Sequence, residues 1–122
     1  MIQREIQQQL LKLAAMYPVV TITGPRQSGK TTLAKMTFPQ YRYVSLENFD
    51  IRQMAEADPR GFLKSYAPPV IFDEIQRVPK LLSFIQTAVD EDKSYGQYIL
   101  TGSHQPALGA GVSQSLAGRT GI

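Results

Sequence analysis

The sequence predicts an α/β fold in which a mainly parallel sheet is covered by helices on both faces. Short runs of apolar and β-branched residues alternate with stretches of helical periodicity, which is the pattern of parallel strands joined by helical crossovers. One run, Val70–Phe72, contains apolar residues only, as expected for a strand buried on both faces. A glycine-containing loop also links the first predicted strand to a helix, which is a recurring unit of α/β proteins.

The first half of the chain contains predicted elements of both types. Apolar residues that recur every three or four positions near the N-terminus predict an amphipathic helix. Tyr17-Pro18 should end it, and Asp50 and Asp58 are candidate caps of later helices. The predicted elements are a helix over Ile2–Met16, a strand over Val19–Thr23, a helix over Lys30–Met36, a strand over Tyr41–Leu46 and short helices after Asp50 and Asp58.

The second half continues the alternation. Ala67-Pro68-Pro69 breaks the chain before the apolar strand, and Pro79 begins a helix. The predicted elements are strands over Val70–Phe72 and Tyr98–Leu100, a helix after Pro79, a loop over Gln105–Val112 and a short helix over Gln114–Gly118. No linker or repeat divides the chain, so residues 1–122 are expected to form one domain.

Composition is that of an ordinary globular protein. Of 122 residues, 43% are hydrophobic and 19% are charged, and none is cysteine. Disulfide frameworks and cysteine-based zinc sites are therefore excluded. Because we find no signal peptide and no apolar run of membrane-spanning length, we expect a cytoplasmic protein without membrane contact. The net charge of +3 is weak support for nucleic-acid binding, because a phosphate site would use part of it.

The residues from Gly24 to Thr31 fit the pattern G-x-x-x-x-G-K-[ST] at every specified position. The pattern stands between a strand and a helix, which is the setting in which it binds phosphate. Backbone N–H groups and the helix N-terminus then provide the positive side of the site. Lys30 is expected to reach the β- and γ-phosphates, and the Thr31 hydroxyl to bind Mg²⁺. The residues predicted to bind the nucleotide are Gly24, Pro25, Arg26, Gln27, Ser28, Gly29, Lys30, Thr31 and Thr32.

Asp73 and Glu74 come directly after the apolar strand Val70–Phe72. Open α/β sheets bind ligands at the carboxyl ends of their strands, and Mg²⁺ is held by a small number of protein oxygens. Asp73 is therefore predicted to share the metal with Thr31. Glu74 is predicted to orient and deprotonate a water that attacks the γ-phosphate.

Polar residues after the fourth predicted strand are further candidates. Thr101 or Ser103 could hydrogen-bond the γ-phosphate or the attacking water, and the sequence does not choose between them. Arg119 and Arg26 could neutralise charge that develops during phosphoryl transfer. His104 has no second histidine and no cysteine with which to share a metal, so we expect it to be structural or solvent-facing.

These motifs together resemble the nucleotide-binding domain of a prokaryotic AAA-like ATPase family, in which a C-terminal domain of unknown function follows. The segments that carry the resemblance are Gly24–Leu33, Val70–Gln76, Ile99–Ser103 and Ser115–Arg119. It implies a P-loop NTPase three-layer α/β/α sandwich with the strand order second, third, fourth, first, fifth. It also implies ATP and Mg²⁺ as ligands, Asp73 as the magnesium-side acid, Glu74 as the catalytic base and Thr101 or Ser103 as the sensor.

The chain is shorter than this resemblance implies. In the family a further strand and the C-terminal domain should follow Arg119, but only three residues do so here. We therefore expect a C-terminally truncated domain that lacks its last strand. The first strand would then be an open edge with unpaired N–H and C=O groups. Such an edge should pair with another chain, pair with the chain's own C-terminal residues, or promote aggregation.

ATP hydrolysis to ADP and phosphate is the leading functional prediction. A GTPase is disfavoured, because there is no Asn-Lys-x-Asp motif and no glycine three residues after Asp73. A small-molecule kinase is one alternative, although Arg60, Arg77 and Arg119 are too scattered to indicate an arginine-rich lid. Another is a nucleotide-gated binding module with little or no hydrolysis, in which ATP controls contact with a protein or nucleic acid.

Overall fold

A computed structural model describes residues 2–25, 29–103 and 113–117 of the chain. Within these ranges, parallel strands alternate with helices from the N-terminus onward. The strands are β1 (Val19–Thr23), β2 (Arg42–Ser45), β3 (Val70–Asp73), β4 (Tyr98–Gly102) and β5 (Ser113–Ala117). The helices are α1 (Ile2–Ala14), α2 (Lys30–Thr37), α3 (Phe49–Ala57), α4 (Pro59–Ser65) and α5 (Leu81–Glu91), with a 3₁₀ turn over Ile75–Arg77.

The five described strands form one sheet in the order β2-β3-β4-β1-β5, and every neighbouring pair is parallel. The predicted order of the first four strands is confirmed. In the register of this sheet Thr23 lies opposite Gly102, and Phe72 lies opposite Leu100. The carboxyl ends of β1, β4 and β3 therefore meet at one edge, which is where open α/β sheets bind ligands.

The fifth strand corrects the sequence analysis. β5 pairs with β1 from Val19 opposite Ser113 to Thr23 opposite Ala117, so a fifth strand lies beside β1 and β1 is not an open edge of the described sheet. Of the three outcomes expected for that edge, pairing with the chain's own C-terminal residues is the one observed. The short helix predicted over Gln114–Gly118 is also wrong. Its residues carry little β-branched or aromatic signal, and pairing with β1 overrides that local preference.

Apolar side chains fill both faces of the sheet, because successive residues of a buried strand point to opposite sides. Along β3, Phe72 joins a cluster with side chains of α3, α4 and α5, whereas Ile71 joins a second cluster with α1 and α2. Along β4, Leu100 and Ile99 divide in the same way. The predicted three-layer α/β/α arrangement is thus confirmed.

Local hydrogen bonds explain where the two middle helices begin. The Asn48 side chain accepts from the Ile51 backbone N–H at 3.1 Å, so Asn48, not the predicted Asp50, caps α3. Asp58 caps α4 as predicted, accepting from the Gly61 N–H at 3.1 Å with Pro59 in the first helical position. None of the helices in the described ranges is both long and apolar enough to cross a bilayer.

Candidate functional site

The loop after β1 leads into α2 at the edge where β1, β3 and β4 end. The Gly24 N–H donates to the Gly102 carbonyl at 3.1 Å, which ties the start of the loop to the end of β4. Gly29 precedes α2 in the left-handed region with φ of +87°, a conformation that glycine adopts without the steric cost other residues meet. Lys30 and Thr31 then begin α2, so both side chains start at the helix N-terminus. The predicted loop residues Arg26, Gln27 and Ser28 lie outside the described residues.

Lys30 is buried although it carries a charge. Its side chain is 3% exposed, and its Nζ lies 3.3 Å from Glu74 Oε2. The Nζ also donates to the Pro25 carbonyl at 3.3 Å. A buried ammonium group is tolerated where a counter-charge and hydrogen-bond acceptors replace water. Glu74 and Pro25 fill those roles here, and phosphate oxygens would be chemically equivalent acceptors.

Asp73 accepts hydrogen bonds from three hydroxyl groups on three different elements. Its Oδ1 accepts from Thr31 Oγ1 at 2.7 Å and from Thr101 Oγ1 at 2.6 Å. Its Oδ2 accepts from the Tyr43 hydroxyl at 2.9 Å. Asp73 is 4% exposed, so these donors supply most of what water would supply to an exposed carboxylate. The two predicted metal ligands, Thr31 and Asp73, are therefore in direct contact.

Glu74 follows Asp73 in a strained backbone conformation. Its φ of 60° and ψ of 55° are left-handed values that a residue with a Cβ seldom adopts. Its N–H donates to Thr101 Oγ1 at 3.0 Å, and its Oε1 accepts from Gln76 Nε2 at 2.7 Å. Together with the Lys30 contact, these bonds hold the carboxylate over the start of α2. Strain of this kind is often found at functional sites.

The two sensor candidates occupy different surroundings. Thr101 is fully buried, and its hydroxyl both donates to Asp73 and accepts from the Glu74 N–H. Ser103 is exposed, and its N–H donates to Gln76 Oε1 at 3.4 Å. Thr101 thus joins the two acidic residues, while the Ser103 side chain lies at the surface beside them. Arg119 and His104 lie outside the described residues.

The sequence analysis gave no role to two further residues at this edge, one outside the recognised segments and one at the end of Val70–Gln76. Tyr43 on β2 contacts Asp73, and Gln76 in the 3₁₀ turn contacts Glu74. Burial, followed by the hydrogen bond and negative charge of Asp73, raises the pKa of the Tyr43 hydroxyl to about 12. Tyr43 is therefore a neutral hydrogen-bond donor at physiological pH. No local sequence signal indicates Tyr43, which is the second residue of β2 and lies opposite Ile71.

A cavity of about 240 Å³ opens between these groups. It is lined by Gly29, Lys30, Thr31, Thr32, Glu47, Asp73 and Glu74. A larger depression of about 710 Å³ lies beside α3, between side chains that include Arg52 and Arg77. We assign the site to the smaller cavity, because buried charged groups converge there and the helix N-terminus faces it.

Comparison with known proteins identifies the family. The sequence model of a family described as an AAA domain matches residues 16–122. The chain belongs to this AAA family. Family membership supports a nucleotide-binding, ATPase-like function, and the parallel α/β sandwich of this AAA domain agrees with a P-loop NTPase fold.

Two mycobacterial proteins are similar to this AAA domain in sequence. They are the uncharacterized protein Mb2031c of Mycobacterium bovis and the uncharacterized protein Rv2008c of Mycobacterium tuberculosis. Each is 35% identical over 105 residues, which is 84% of this chain. The same alignment spans 23% of each relative, so the AAA domain corresponds to a minor part of those proteins.

Proposed function

We propose that this AAA domain binds ATP with Mg²⁺ and hydrolyses it to ADP and phosphate. The buried ion pair between Lys30 and Glu74, next to the Thr31–Asp73 hydrogen bond, supports the proposal most directly. An ammonium group, an acid and a metal-binding pair are the components that phosphoryl transfer to water requires. Their position at the N-terminus of α2 adds the backbone groups that favour an anion.

Phosphate binding is proposed to begin with an exchange of partners at Lys30. Its Nζ contacts one carboxylate oxygen and one carbonyl oxygen at 3.3 Å each. Phosphate oxygens entering the cavity would replace these acceptors without leaving the charge unpaired. The exchange would also separate Lys30 from Glu74, which is needed before the carboxylate can act on a water.

The oxygen groups present fit Mg²⁺. Thr31 and Asp73 supply hard oxygen donors that already lie 2.7 Å apart. Among the described residues no group of three or more His, Cys, Asp or Glu side chains is arranged to hold a metal ion. This agrees with Mg²⁺, which is usually bound by one or two protein groups together with phosphate oxygens and water. When bound, the ion would neutralise charge on the phosphate oxygens.

Hydrolysis is proposed to use Glu74 as general base. The water oxygen bonds to the γ-phosphorus while one of its two protons passes to Glu74 and the other stays on that oxygen, and the bond from the γ-phosphorus to the bridging oxygen of ADP breaks. Lys30 stabilises the negative charge that develops on the phosphate oxygens. Thr101 and Gln76 keep Glu74 in place through the bonds to its N–H and its Oε1.

A nucleotide-gated binding module is the second candidate. The observation that favours it is the engagement of Glu74 by both Lys30 and Gln76, because a base held in this way is not free for catalysis. On this reading Glu74 stays engaged after ATP binds, and turnover is slow unless a protein or nucleic acid is added. ATP hydrolysis by a longer protein that contains this domain is likewise part of what we propose.

Binding and phosphate release should be measured separately to test the proposal. Lys30→Ala should abolish ATP binding in calorimetry, whereas Lys12→Ala, which removes an exposed charge from α1, should leave it unchanged. Glu74→Gln should retain binding and lower phosphate release by about 100-fold or more. Normal ATP affinity in Lys30→Ala would remove that residue from the site. Unchanged phosphate release in Glu74→Gln would overturn the general base, and wild-type binding without turnover would favour the gated module.

A further inference from the structure

The Tyr43 hydroxyl contacts Asp73 on the neighbouring strand, although the two residues are offset by two positions in the strand register. In the β2–β3 register, Tyr43 lies opposite Ile71 and Ser45 lies opposite Asp73. Alternate residues share a face of a sheet, so Tyr43 and Asp73 are on the same side, displaced by about 6.6 Å along the strands. The long phenol side chain spans this displacement, and its hydroxyl lies 2.9 Å from Asp73 Oδ2.

The two oxygens of Asp73 have different donors. Oδ1 accepts from Thr31 and Thr101, which lie on α2 and β4. Oδ2 accepts from the Tyr43 hydroxyl on β2, which is its donor among the described residues. A carboxylate held at one oxygen alone can rotate about its terminal torsion, which is broad for aspartate. The bond from Tyr43 to the second oxygen fixes the plane of the group.

The ring of Tyr43 is itself held in place. It packs against the core cluster that contains Ile71 and Leu33. The Nζ of Lys35 lies 4.0 Å from the ring centroid, a distance typical of a cation–π contact. The phenol hydroxyl is therefore positioned before any ligand arrives, and its neutral form donates to Asp73.

We propose that Tyr43 is a positioning residue for magnesium, acting through Asp73. Its hydroxyl holds the Asp73 carboxylate in the plane in which one oxygen faces the Thr31 hydroxyl, so that these two groups meet the cation together. The inference rests on the proposed Mg²⁺-ATP function and adds to it a residue outside both sequence motifs. Because the hydrogen bond that Tyr43 donates goes to Asp73, its loss should affect metal-dependent affinity and leave metal-free affinity unchanged.

The chain offers a matched control in Tyr41. Its hydroxyl donates to the Gly96 carbonyl at 2.7 Å, at the opposite end of the sheet from Asp73. Tyr41→Phe and Tyr43→Phe each remove one phenol hydroxyl, and the hydrogen bond that it donates, from a partly buried ring. A general loss of stability is therefore common to both variants, and thermal unfolding will show its size. Only Tyr43→Phe removes a bond at the proposed metal site.

The experiment compares the affinity for the β,γ-imido analogue of ATP in excess Mg²⁺ and in EDTA, measured by calorimetry on the wild type and both variants. The wild type should bind more tightly with Mg²⁺. In Tyr43→Phe the gain in affinity that Mg²⁺ provides should be about tenfold smaller than in the wild type, which is the effect of one hydrogen bond to a charged group. The affinity of this variant in EDTA should be unchanged. Tyr41→Phe should match the wild type in both conditions. Electron paramagnetic resonance of Mn²⁺ with the analogue provides a direct readout of the metal and should show the same order.

Three results would count against the inference. A Tyr43→Phe variant with the wild-type Mg²⁺-dependent gain, or one that loses affinity equally with and without metal, would reduce Tyr43 to a structural role while leaving the proposed function intact. A wild type that binds the analogue in neither condition would overturn the proposed function and this inference with it.

Discussion

At the scale of single residues, the Thr101 hydroxyl joins the Asp73 side chain to the Glu74 backbone. It gives its single proton to Asp73 Oδ1 and accepts the Glu74 N–H. A hydroxyl has one O–H to donate, and here that proton is committed to the carboxylate. Thr101 is therefore better suited to positioning the acids than to sensing a phosphate. Ser103, exposed at the same edge, is the remaining candidate for the sensor.

Thr101→Val tests this bridge, because valine keeps the side-chain shape and removes the hydroxyl. We expect the free energy of unfolding to fall by about 2 kcal/mol, since a buried carboxylate oxygen loses a donor and the Glu74 N–H loses its acceptor. Urea unfolding followed by circular dichroism measures the change. Thr37→Val is the control, because Thr37 Oγ1 is buried and has no hydrogen-bond partner among the described residues. Its removal should cost less than about 0.5 kcal/mol, and equal losses in the two variants would contradict the bridge.

Sequence patterns identified the two motifs but not the residues that hold them. Lys30, Thr31 and Asp73 were predicted from spacing, because a loop between strand and helix and an acid after an apolar strand are local features. Tyr43 carries no local signal, because its contact depends on β2 lying beside β3 and on how far a long side chain extends along a strand. Gln76 lies in a recognised segment, but its contact with Glu74 depends on the 3₁₀ turn over Ile75–Arg77, which the residue pattern does not encode.

At the scale of elements, the start of α2 depends on the backbone of one glycine. Gly29 has a φ of +87°, and a Cβ added there would meet no atom within 4 Å. The constraint at this position is therefore the backbone conformation and not the available space. Gly96, with φ of +70°, differs, because an added Cβ would lie 3.0 Å from both the Ala14 carbonyl oxygen and the Tyr41 hydroxyl.

Alanine at these two glycines should have different consequences. Gly29→Ala should cost about 1–2 kcal/mol of stability from left-handed strain alone, and it should weaken ATP binding because the loop shifts. Gly96→Ala should cost more, since it adds close contacts to the same strain, yet leave ATP affinity unchanged at its distance from the site. Thermal unfolding and calorimetry of both variants measure this. A Gly96→Ala variant that is more stable than Gly29→Ala, or that binds ATP more weakly, would contradict these expectations.

At the scale of the whole molecule, the sequence predicted the layers and the order of the first four strands. The alternation of strands and helices is sufficient for the layers, because parallel neighbours need helical crossovers. The strand order was implied by the resemblance to the AAA-like family. The sequence prediction failed at β5, where local composition favoured a helix. The unpaired backbone groups of β1 are a property of the assembled sheet, and they decide the conformation of 113–117 through pairing. That stretch could therefore not be assigned from its own residues.

Truncation tests the role of β5 for the whole molecule. A chain ending at Ser103 should expose the N–H and C=O groups along β1, which pair with 113–117 in the intact protein. Exposed parallel edges recruit further strands, so we expect concentration-dependent association in sedimentation and a lower midpoint of thermal unfolding. A chain ending at Ala117 keeps β5 and is the control. Because β1 leads directly into the phosphate loop, the shorter chain should also bind ATP more weakly. If it sediments as a monomer with the stability and ATP affinity of the control, the closure of the sheet by β5 contributes nothing to fold or site.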